Sequence, residues 1–307
     1  CGFPPPGSGA TTVLATLGIW RQLAGGEARP GTEAFAHRFA EAGRLAYADR
    51  AGCVGDPAFD PVPVAAMLDP AYLAGRASTV GARAAPRRTG GLGCGEGGND
   101  DERPSTTHLS IVDAAGNAVA LTSSVEDAFG NRRMAGGFML NNQLTDFSTE
   151  SANRIEPGKR PRSSMAPTLV FKMADDGSMG NFLMDSDSPG GATIIQYVTK
   201  TLVGVLDWGM DAQQATSMVD FGAANSATTN VGGEHPNINA TTPSGGLAGG
   251  NDPLVTGLRA LGHTVSVASQ SSGISTIVKA TRNGATVLEG GADPRREGIV
   301  LGDTFKP

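Results

Sequence analysis

The sequence of 307 residues has few of the residues that mark several protein classes. It contains only three cysteines, Cys1, Cys53 and Cys94. An odd cysteine count without metal-ligand spacing indicates neither a disulfide framework nor a zinc site. No stretch approaches the roughly 20 consecutive apolar residues of a transmembrane helix. The sequence therefore predicts no membrane span.

An excess of positive charge is also missing. The net charge is −6 and the lysines and arginines are not clustered, so the sequence lacks the basic surface of a nucleic-acid binder. Nucleic acid is thus not an expected partner. The 39% hydrophobic residues can form a core for one large domain or two ordinary ones.

The first residues read CGFPPPGSG, without an initiator methionine, a positive n-region or an apolar h-region. This start is typical of the middle of a longer protein. A signal peptide would lie before Cys1, so the sequence leaves the localisation unknown.

Helical patterns dominate the first third of the chain. ATTVLATLGIWRQLAGG has helical apolar spacing, and a second helix is predicted with Thr32 as its cap and Phe35, Phe39, Ala42 and Ala46 on one face. The proline-punctuated residues that follow predict short helices. Residues 86–105 are too polar and glycine-rich to pack, which predicts a mobile linker or a cut site.

From Thr106 the pattern changes to strands. THLSIVD and AVALTSS flank the turn AAGN, and TLVFKM, NFLMD, TVSVAS, GISTIVKATR and ATVLEGG are further strand candidates. Between them, GGATIIQYVTKTLVGVLDWG predicts one long helix, DAQQATSM a short helix capped by Asp211, and residues 221–251 a polar loop. Asp252 and Pro253 start a last helix that ends before Gly262. Layered α and β structure follows.

The common motifs for enzyme sites are absent. There is no G-x-S-x-G, H-E-x-x-H or G-x-x-x-x-G-K, and GCGEGG at 93–98 lacks the flanking strand and helix of a dinucleotide site. We therefore expect no cofactor and no metal. The four histidines, His37, His108, His235 and His263, share no ligand spacing and are expected to be surface or hydrogen-bonded residues.

A threonine at the start of the first strand offers another chemistry. A threonine hydroxyl is a weak nucleophile unless a base lies beside it, and the chain's own α-amino group serves when the threonine is N-terminal. Scission of the Ser105–Thr106 bond would supply that base, and the acidic, glycine-rich residues before it suit a cut site. A loop that simply enters a strand is the alternative.

Three other stretches suit the same chemistry. Gly190 and Gly191 precede a predicted helix, where amides could hold an oxyanion, or they are a plain glycine cap. Two hydroxyls, Ser163 and Ser164, could bind a carboxylate, although an exposed turn fits equally. LNNQLTDFS carries Asn142, Gln143 and Asp146, which could accept hydrogen bonds from an ammonium group or form a surface turn.

In this order, four segments resemble the small subunit of the γ-glutamyltransferase family (γ-glutamyl transpeptidase, glutathione hydrolase): TTHLSIVDAAGNAVALT, FGNRRMAGGFMLNNQLTDFS, KRPRSSMAPTLVF and SPGGATII. GFPPPGSG and EAGRLAYADRAGCVGDPAFDPVPV resemble the end of its large subunit. The resemblance implies that residues 1–105 are the C-terminal part of the large-subunit region, ending in the linker, and residues 106–307 the catalytic small-subunit region of the same folded unit.

The resemblance also implies fold and catalytic roles. The fold would be an α/β N-terminal-nucleophile hydrolase, a four-layer α-β-β-α sandwich. Such precursors cleave themselves, here between Ser105 and Thr106, so that Thr106 becomes the nucleophile and its amine the base. Ser124 would hydrogen-bond the nucleophile. Gly190 and Gly191 would hold the oxyanion.

The substrate roles follow the same match. Gln143 and Asp146 would bind the α-amino group of a γ-glutamyl donor such as glutathione, and Ser163 and Ser164 its α-carboxylate. Glu126 replaces an asparagine common in the family at this amino-binding end. Water or an amino acid or peptide would be the acceptor, and processed large and small subunits would be partners.

Two alternatives remain open. One is a cephalosporin or glutaryl acylase of the same fold, and the other is a catalytically silent or unprocessed homologue. Family members are often periplasmic or secreted, which is all that the resemblance implies about location. The arginine that binds the α-carboxylate in the family would lie upstream of Cys1, and VDFGAANSATT replaces a histidine-rich stretch after the long helix.

Overall fold

A computed structural model describes residues 1–23, 28–95, 97, 105–235, 238 and 249–302. Its helices are α1 (Gly9–Leu23), α2 (Glu33–Cys53), α3 (Val64–Met67), α4 (Pro70–Ala77), α5 (Ile194–Leu206), α6 (Ala212–Thr216) and α7 (Pro253–Ala260). Its strands are β1 (Thr106–Val112), β2 (Ala118–Ser124), β3 (Met134–Ala135), β4 (Phe138–Met139), β5 (Thr168–Met173), β6 (Met179–Asp187), β7 (Phe221–Gly222), β8 (Thr228–Gly232), β9 (Thr264–Ala268), β10 (Ser275–Arg282) and β11 (Ala285–Ala292).

The predicted helices and their caps are confirmed. The Thr32 hydroxyl accepts a hydrogen bond from the Phe35 N–H at 3.3 Å, and Asp211 and Asp252 cap α6 and α7 through their side chains. Side-chain acceptors satisfy amides that the first helical turn leaves unpaired, which is why these polar residues start helices. No helix in the described ranges has the length and apolarity needed to cross a bilayer.

An aromatic core joins the helices. The Phe35 ring packs against Trp20, Trp208 and Phe221 with centroid distances of 5.1, 4.5 and 5.2 Å. These edge-to-face contacts add to the hydrophobic burial of the large side chains. They fix α2, whose polar residues reach the candidate site.

In the described ranges the strands form four sheets, three of them antiparallel and one, β7-β8-β9, mixed. One of the antiparallel sheets has the strand order β11-β10-β6-β5, and the β1–β2 hairpin lies against it. Helix α5 packs on β6, α6 packs on β10 and β11, and α1 packs on α5. The order of layers is therefore helices, sheet and hairpin.

The β1–β2 hairpin has its apolar face turned outward. Leu109, Ile111, Val119 and Leu121 point outward and are 41–53% exposed, and the described residues place no helix over them. The inward face carries hydroxyls and an imidazole instead. The polar face of the hairpin therefore lies against the four-stranded sheet, where its polar groups need hydrogen-bond partners.

The prediction of a loop through residues 221–251 was wrong in two places. Phe221–Gly222 and Thr228–Gly232 form β7 and β8, and β8 pairs in parallel with β9, Thr264–Ala268. The partner strand lies more than 30 residues away along the chain, so a short polar segment gives no local signal. Residues 236–237 and 239–248 of the predicted loop lie outside the described residues.

The cysteine count did not indicate a disulfide framework, but the structure contains one disulfide. Cys53 at the end of α2 is bonded to Cys94, with a Cα–Cα distance of 5.1 Å and a sequence separation of 41. Arg88 forms an ion pair with Glu41 of α2 at 2.5 Å, so the predicted linker is held to α2 at this residue, although most of residues 86–95 are exposed. Tertiary contacts with α2, which composition does not reveal, explain the difference. Residues 96 and 98–104 of that linker lie outside the described residues.

Candidate active site

Thr106 is the first residue of β1, and its hydroxyl lies beside that of Ser124 at the end of β2. The antiparallel register pairs the two residues, and paired side chains in adjacent strands are neighbours. The Thr106 hydroxyl donates to Ser124 Oγ at 3.3 Å, and the Glu126 N–H donates to the same oxygen at 3.0 Å. Thr106 is only 6% exposed. The hairpin thus brings both predicted hydroxyl residues together.

Glu126 lies in a strained turn directly after β2. Its φ is 73°, in the left-handed region that costs a non-glycine residue on the order of 1 kcal/mol or more. The Ser105 hydroxyl donates to its carbonyl oxygen, and the Thr145 hydroxyl donates to its Oε1 at 3.1 Å. The turn therefore connects the residue before Thr106 with the polar segment at 143–146.

That polar segment is a 3₁₀ turn, Gln143–Asp146. Asp146 is buried and Gln143 is half-buried. The Asn153 side chain donates to the Asp146 carbonyl at 2.8 Å and accepts from the Arg162 N–H at 2.8 Å. Asn153 therefore fixes the predicted ammonium-binding turn next to the predicted carboxylate-binding serines.

The two serines are held from both sides. The Ser8 N–H and hydroxyl donate to the Ser163 carbonyl at 2.8 and 2.7 Å. Arg50 donates to Ser8 Oγ at 2.7 Å and to Ser164 Oγ at 2.5 Å. Arg50 and Ser164 are fully buried, so a guanidinium group stands directly behind the serine pair.

Arg162 holds the same segment against the end of α2. Its guanidinium donates to the carbonyls of Arg50, Ala51 and Val54 at 3.0, 3.2 and 3.3 Å. Carbonyls at a helix C-terminus attract cations, which explains this buried arginine. Sequence patterns do not single out Arg50, Asn153 or Arg162, because their partners lie far away along the chain.

Gly190 and Gly191 form the entry to α5. Their φ values are 144° and 58°, and a Cβ on Gly190 would lie 2.6 Å from Cε2 of Tyr197. Thr193 donates to the Gly190 carbonyl through its N–H at 3.3 Å and its hydroxyl at 2.6 Å. No described residue accepts a hydrogen bond from either glycine amide. These donors suit an oxyanion.

Asp187 lies at the end of β6 and contacts both β2 and the segment before β5, and it was not among the predicted site residues. Its Oδ2 accepts from the Thr122 hydroxyl at 2.5 Å and from the Ala166 N–H at 3.1 Å, and Gly190 follows three residues later. Complete burial raises the pKa of Asp187 to about 6, and burial also raises the pKa of Asp185. A signal existed, because the predicted strand NFLMD continues with the alternation that places both carboxylates on one face.

The four histidine side chains are hydrogen-bonded. This is one of the two outcomes predicted for them, the other being a position on the surface. His37 and His263 contact each other at 2.8 Å, His235 contacts the Ser217 carbonyl at 2.6 Å, and the His108 ring lies between β1 and β6. Across the described ranges, no three or more histidine, cysteine or acidic side chains are grouped to hold a metal ion.

An apolar groove lies elsewhere. Its volume is about 380 Å³, and it is lined by α1, β5 and the end of α5, with Leu14, Leu17, Phe171, Met173 and Leu206 among its side chains. None of the candidate catalytic or substrate residues lines it. The groove and the candidate site are therefore separate features.

The sequence of this chain is similar to a family model and to several known proteins. The family model described as Gamma-glutamyltranspeptidase matches residues 1–303. The glutathione hydrolase proenzyme of Escherichia coli (strain K12) is 35% identical over 237 residues, covering 71% of this chain and 39% of that protein. The acylase ACY 1 proenzyme of Pseudomonas sp. (strain V22) is 33% identical over 218 residues, covering 70% of this chain and 37% of that protein. The chain thus spans about two fifths of the length of these relatives in the matched regions.

A solved structure shows the same fold. The cephalosporin acylase from Bacillus halodurans superposes with a TM-score of 0.78 at 22% identity, covering 98% of this chain and 50% of that protein. The chain therefore has the N-terminal-nucleophile hydrolase fold that the sequence resemblance predicted, with mixed α and β layers and antiparallel sheets.

Proposed function

This chain belongs to the gamma-glutamyltranspeptidase family, and from that premise we propose that it catalyses γ-glutamyl hydrolysis and transfer. The donors are glutathione and related γ-glutamyl compounds. The reaction proceeds through a γ-glutamyl ester of Thr106, which forms after autocatalytic cleavage of the Ser105–Thr106 bond. The contact between the hydroxyls of Thr106 and Ser124 is the observation that supports this proposal most directly.

Cleavage is the first step. The Thr106 hydroxyl oxygen attacks the Ser105 carbonyl carbon, the peptide C–N bond breaks, and the nitrogen takes the hydroxyl proton. Water then hydrolyses the resulting ester and leaves a free carboxylate on Ser105. The Thr106 nitrogen becomes an amine, which is a base within reach of its own hydroxyl.

Turnover uses that amine. It accepts the Thr106 hydroxyl proton while the oxygen attacks the γ-carbonyl carbon of the donor. The amides of Gly190 and Gly191 donate to the developing oxyanion, and one such donor commonly contributes about 2.7–4 kcal/mol. The ammonium then returns the proton to the leaving amine. Water or an amino acid or peptide amine attacks the ester and releases Thr106.

The substrate's α-amino acid end requires groups of both signs. Glu126 and Asp146 are buried carboxylates that attract an ammonium group, and Gln143 adds an amide acceptor. Ser163 and Ser164 donate hydroxyls to a carboxylate. The cationic Arg50 behind Ser164 favours a negative charge at that end.

One alternative substrate class differs from the γ-glutamyl donors in a way that can be tested. A glutaryl acylase uses the same nucleophile, but a glutaryl group has no ammonium for Glu126 and Asp146 to bind. The buried carboxylates therefore favour a γ-glutamyl donor. Hydrolysis of γ-glutamyl-p-nitroanilide and of glutaryl-7-aminocephalosporanic acid should be compared, and activity on the second compound alone would contradict the proposed substrate.

Processing is tested by mass spectrometry of the purified protein. We expect two fragments, one of which begins at Thr106. The variant Thr106→Ala should stay intact and inactive, because it lacks the hydroxyl. The matched control is Thr107→Ala, whose side chain lies on the outer face of the hairpin and should not affect cleavage. A wild-type chain that stays intact and inactive would support the silent homologue instead.

A further inference from the structure

A buried acid–base cluster lies between the hairpin and β6, directly next to the candidate nucleophile. The register pairs Thr106 with Ser124 and, two residues along the same face, His108 with Thr122. The His108 side chain is fully buried. Its Nδ1 lies 3.9 Å from Asp187 Oδ2, and its Nε2 lies 3.8 Å from Asp185 Oδ1. The imidazole is thus held between two carboxylates.

Hydroxyl groups bridge each of these contacts. The Thr122 hydroxyl donates to Asp187 Oδ2 at 2.5 Å and lies 2.9 Å from His108 Nδ1. The Ser110 hydroxyl donates to Asp185 Oδ1 at 3.0 Å and lies 3.0 Å from His108 Nε2. A hydroxyl has a single proton. When both hydroxyls donate to carboxylates, both imidazole nitrogens must therefore donate to the hydroxyl oxygens, and His108 is an imidazolium.

A second proton arrangement fits the same atoms. If Asp187 carries the proton on Oδ2, it donates to Thr122 Oγ, and Thr122 donates to Nδ1 of a neutral His108. The two arrangements differ by one proton moved along Thr122, and the total charge is the same. Asp187 Oδ1 and Asp185 Oδ2 are buried without a hydrogen-bond partner among the described residues, which makes two ionised carboxylates costly there.

Few other ionisable groups face this cluster. In the described chain, the residues opposite Asp185 and Asp187 on β5 and β10 are Leu169, Ile277 and Ser275, which carry no charge. Among these paired strand residues, the charge of the cluster is therefore carried by His108 and the two aspartates. Burial also raises the pKa of both carboxyl groups.

We infer that His108, Thr122 and Asp187 share one proton, and that the charge of this cluster acts together with the buried Glu126 to set the pH at which the freed α-amino group of Thr106 becomes a neutral base. The inference rests on the proposed function. His108 and Asp187 are then positioning residues, because they act through the Thr106 amine and do not touch the substrate.

The expected direction follows from charge. Residues two apart on a strand are about 7 Å apart, and a unit charge at that separation in a partly buried site shifts an ionisation by on the order of one pH unit. Loss of the Asp187 carboxylate destabilises the ammonium form of Thr106, so the amine becomes neutral at lower pH. Loss of the His108 cation has the opposite effect.

The first test does not depend on activity. The chain is labelled with ¹⁵N-histidine and ¹³C-aspartate, and His108 is assigned with His108→Gln. We expect the Asp187 carboxyl carbon to titrate and the His108 nitrogen shifts to change over the same pH range, because the proton is shared. Thr122→Val keeps the shape and removes the bridge, so in this variant the His108 nitrogen shifts should no longer follow Asp187. Wild-type His108 nitrogen shifts that do not follow the Asp187 titration would overturn the inference.

The second test measures the acidic limb of kcat/KM with γ-glutamyl-p-nitroanilide, which reports the free enzyme. We expect Asp187→Asn to move the limb to lower pH and His108→Gln to move it to higher pH, the latter by on the order of one unit. Asp185→Asn is the matched control and should shift it less, because Asp185 lies one same-face step further from Thr106. A purely structural role would lower activity without opposite shifts.

The two failures are distinguishable. If the wild-type chain has no γ-glutamyl activity, the proposed function is wrong, and the NMR titration still decides whether the proton is shared. If the wild-type chain is active and neither variant moves the acidic limb, the inference is wrong and the proposed function stands.

Discussion

Replacing Gly190 by alanine should damage catalysis more than stability. The new Cβ would lie 2.6 Å from Cε2 of Tyr197, whereas carbon atoms pack at about 3.5–4 Å. Because Tyr197 is buried, the backbone must move by about 1 Å. A displacement of that size in a catalytic group costs about 10²-fold in rate. A φ of 144° adds backbone strain of about 1–3 kcal/mol for alanine.

The assay separates the two effects. We expect kcat for γ-glutamyl-p-nitroanilide to fall about 10²-fold, with a smaller change in KM, because the amide acts on the oxyanion of the transition state. Urea unfolding should show a stability loss of about 1–3 kcal/mol.

Gly209→Ala is the matched control. Gly209 has a φ of 65°, and a Cβ there would meet no atom within 4 Å. This variant has backbone strain without the contact and lies beyond the end of α5. It should lose about 1 kcal/mol of stability and keep its kcat. A Gly190→Ala enzyme with wild-type kcat would refute the oxyanion role of this amide.

Three further changes have defined outcomes. Burial lowers the pKa of His263 from 6.5 to about 4, so its contribution to stability is present above pH 6.5 and is lost as the pH falls toward 4. Between pH 7 and 5, the free energy of unfolding in urea titrations should therefore fall by about 1–2 kcal/mol less for His263→Gln than for the wild type. Equal falls for the two proteins would contradict this. Arg50→Lys retains the charge, but lysine cannot donate hydrogen bonds to Ser8 and Ser164 at the same time as the planar guanidinium does. We expect KM to rise about 5–10-fold with kcat nearly unchanged. A fall in kcat of that size with constant KM would contradict a binding role. Cys53→Ser should cost about 2–4 kcal/mol in urea unfolding because it opens a long loop, and dithiothreitol should have the same effect on the wild type but none on the variant.

Local sequence signals predicted much of the fold. Caps such as Thr32 and Asp211 act within one helical turn, and the β1–β2 and β10–β11 hairpins are set by the turns between them. Local chemistry therefore suffices for these elements.

Features that depend on distant partners were not predicted. The Cys53–Cys94 bond and the parallel pairing of β8 with β9 join segments more than 30 residues apart. For the same reason, the sequence did not reveal Arg50 behind Ser164, although the serine pair itself was singled out by its chemistry. Composition describes a segment, whereas burial depends on what packs against it.

Trapping the acyl-enzyme tests the central claim most directly. The protein is quenched with acid during turnover of a γ-glutamyl donor, and its peptides are mapped by mass spectrometry. We expect one γ-glutamyl group on the hydroxyl of Thr106, in a fragment whose free N-terminus is the Thr106 amine. An active enzyme with the Ser105–Thr106 bond intact, or with the γ-glutamyl group on another residue, would contradict it.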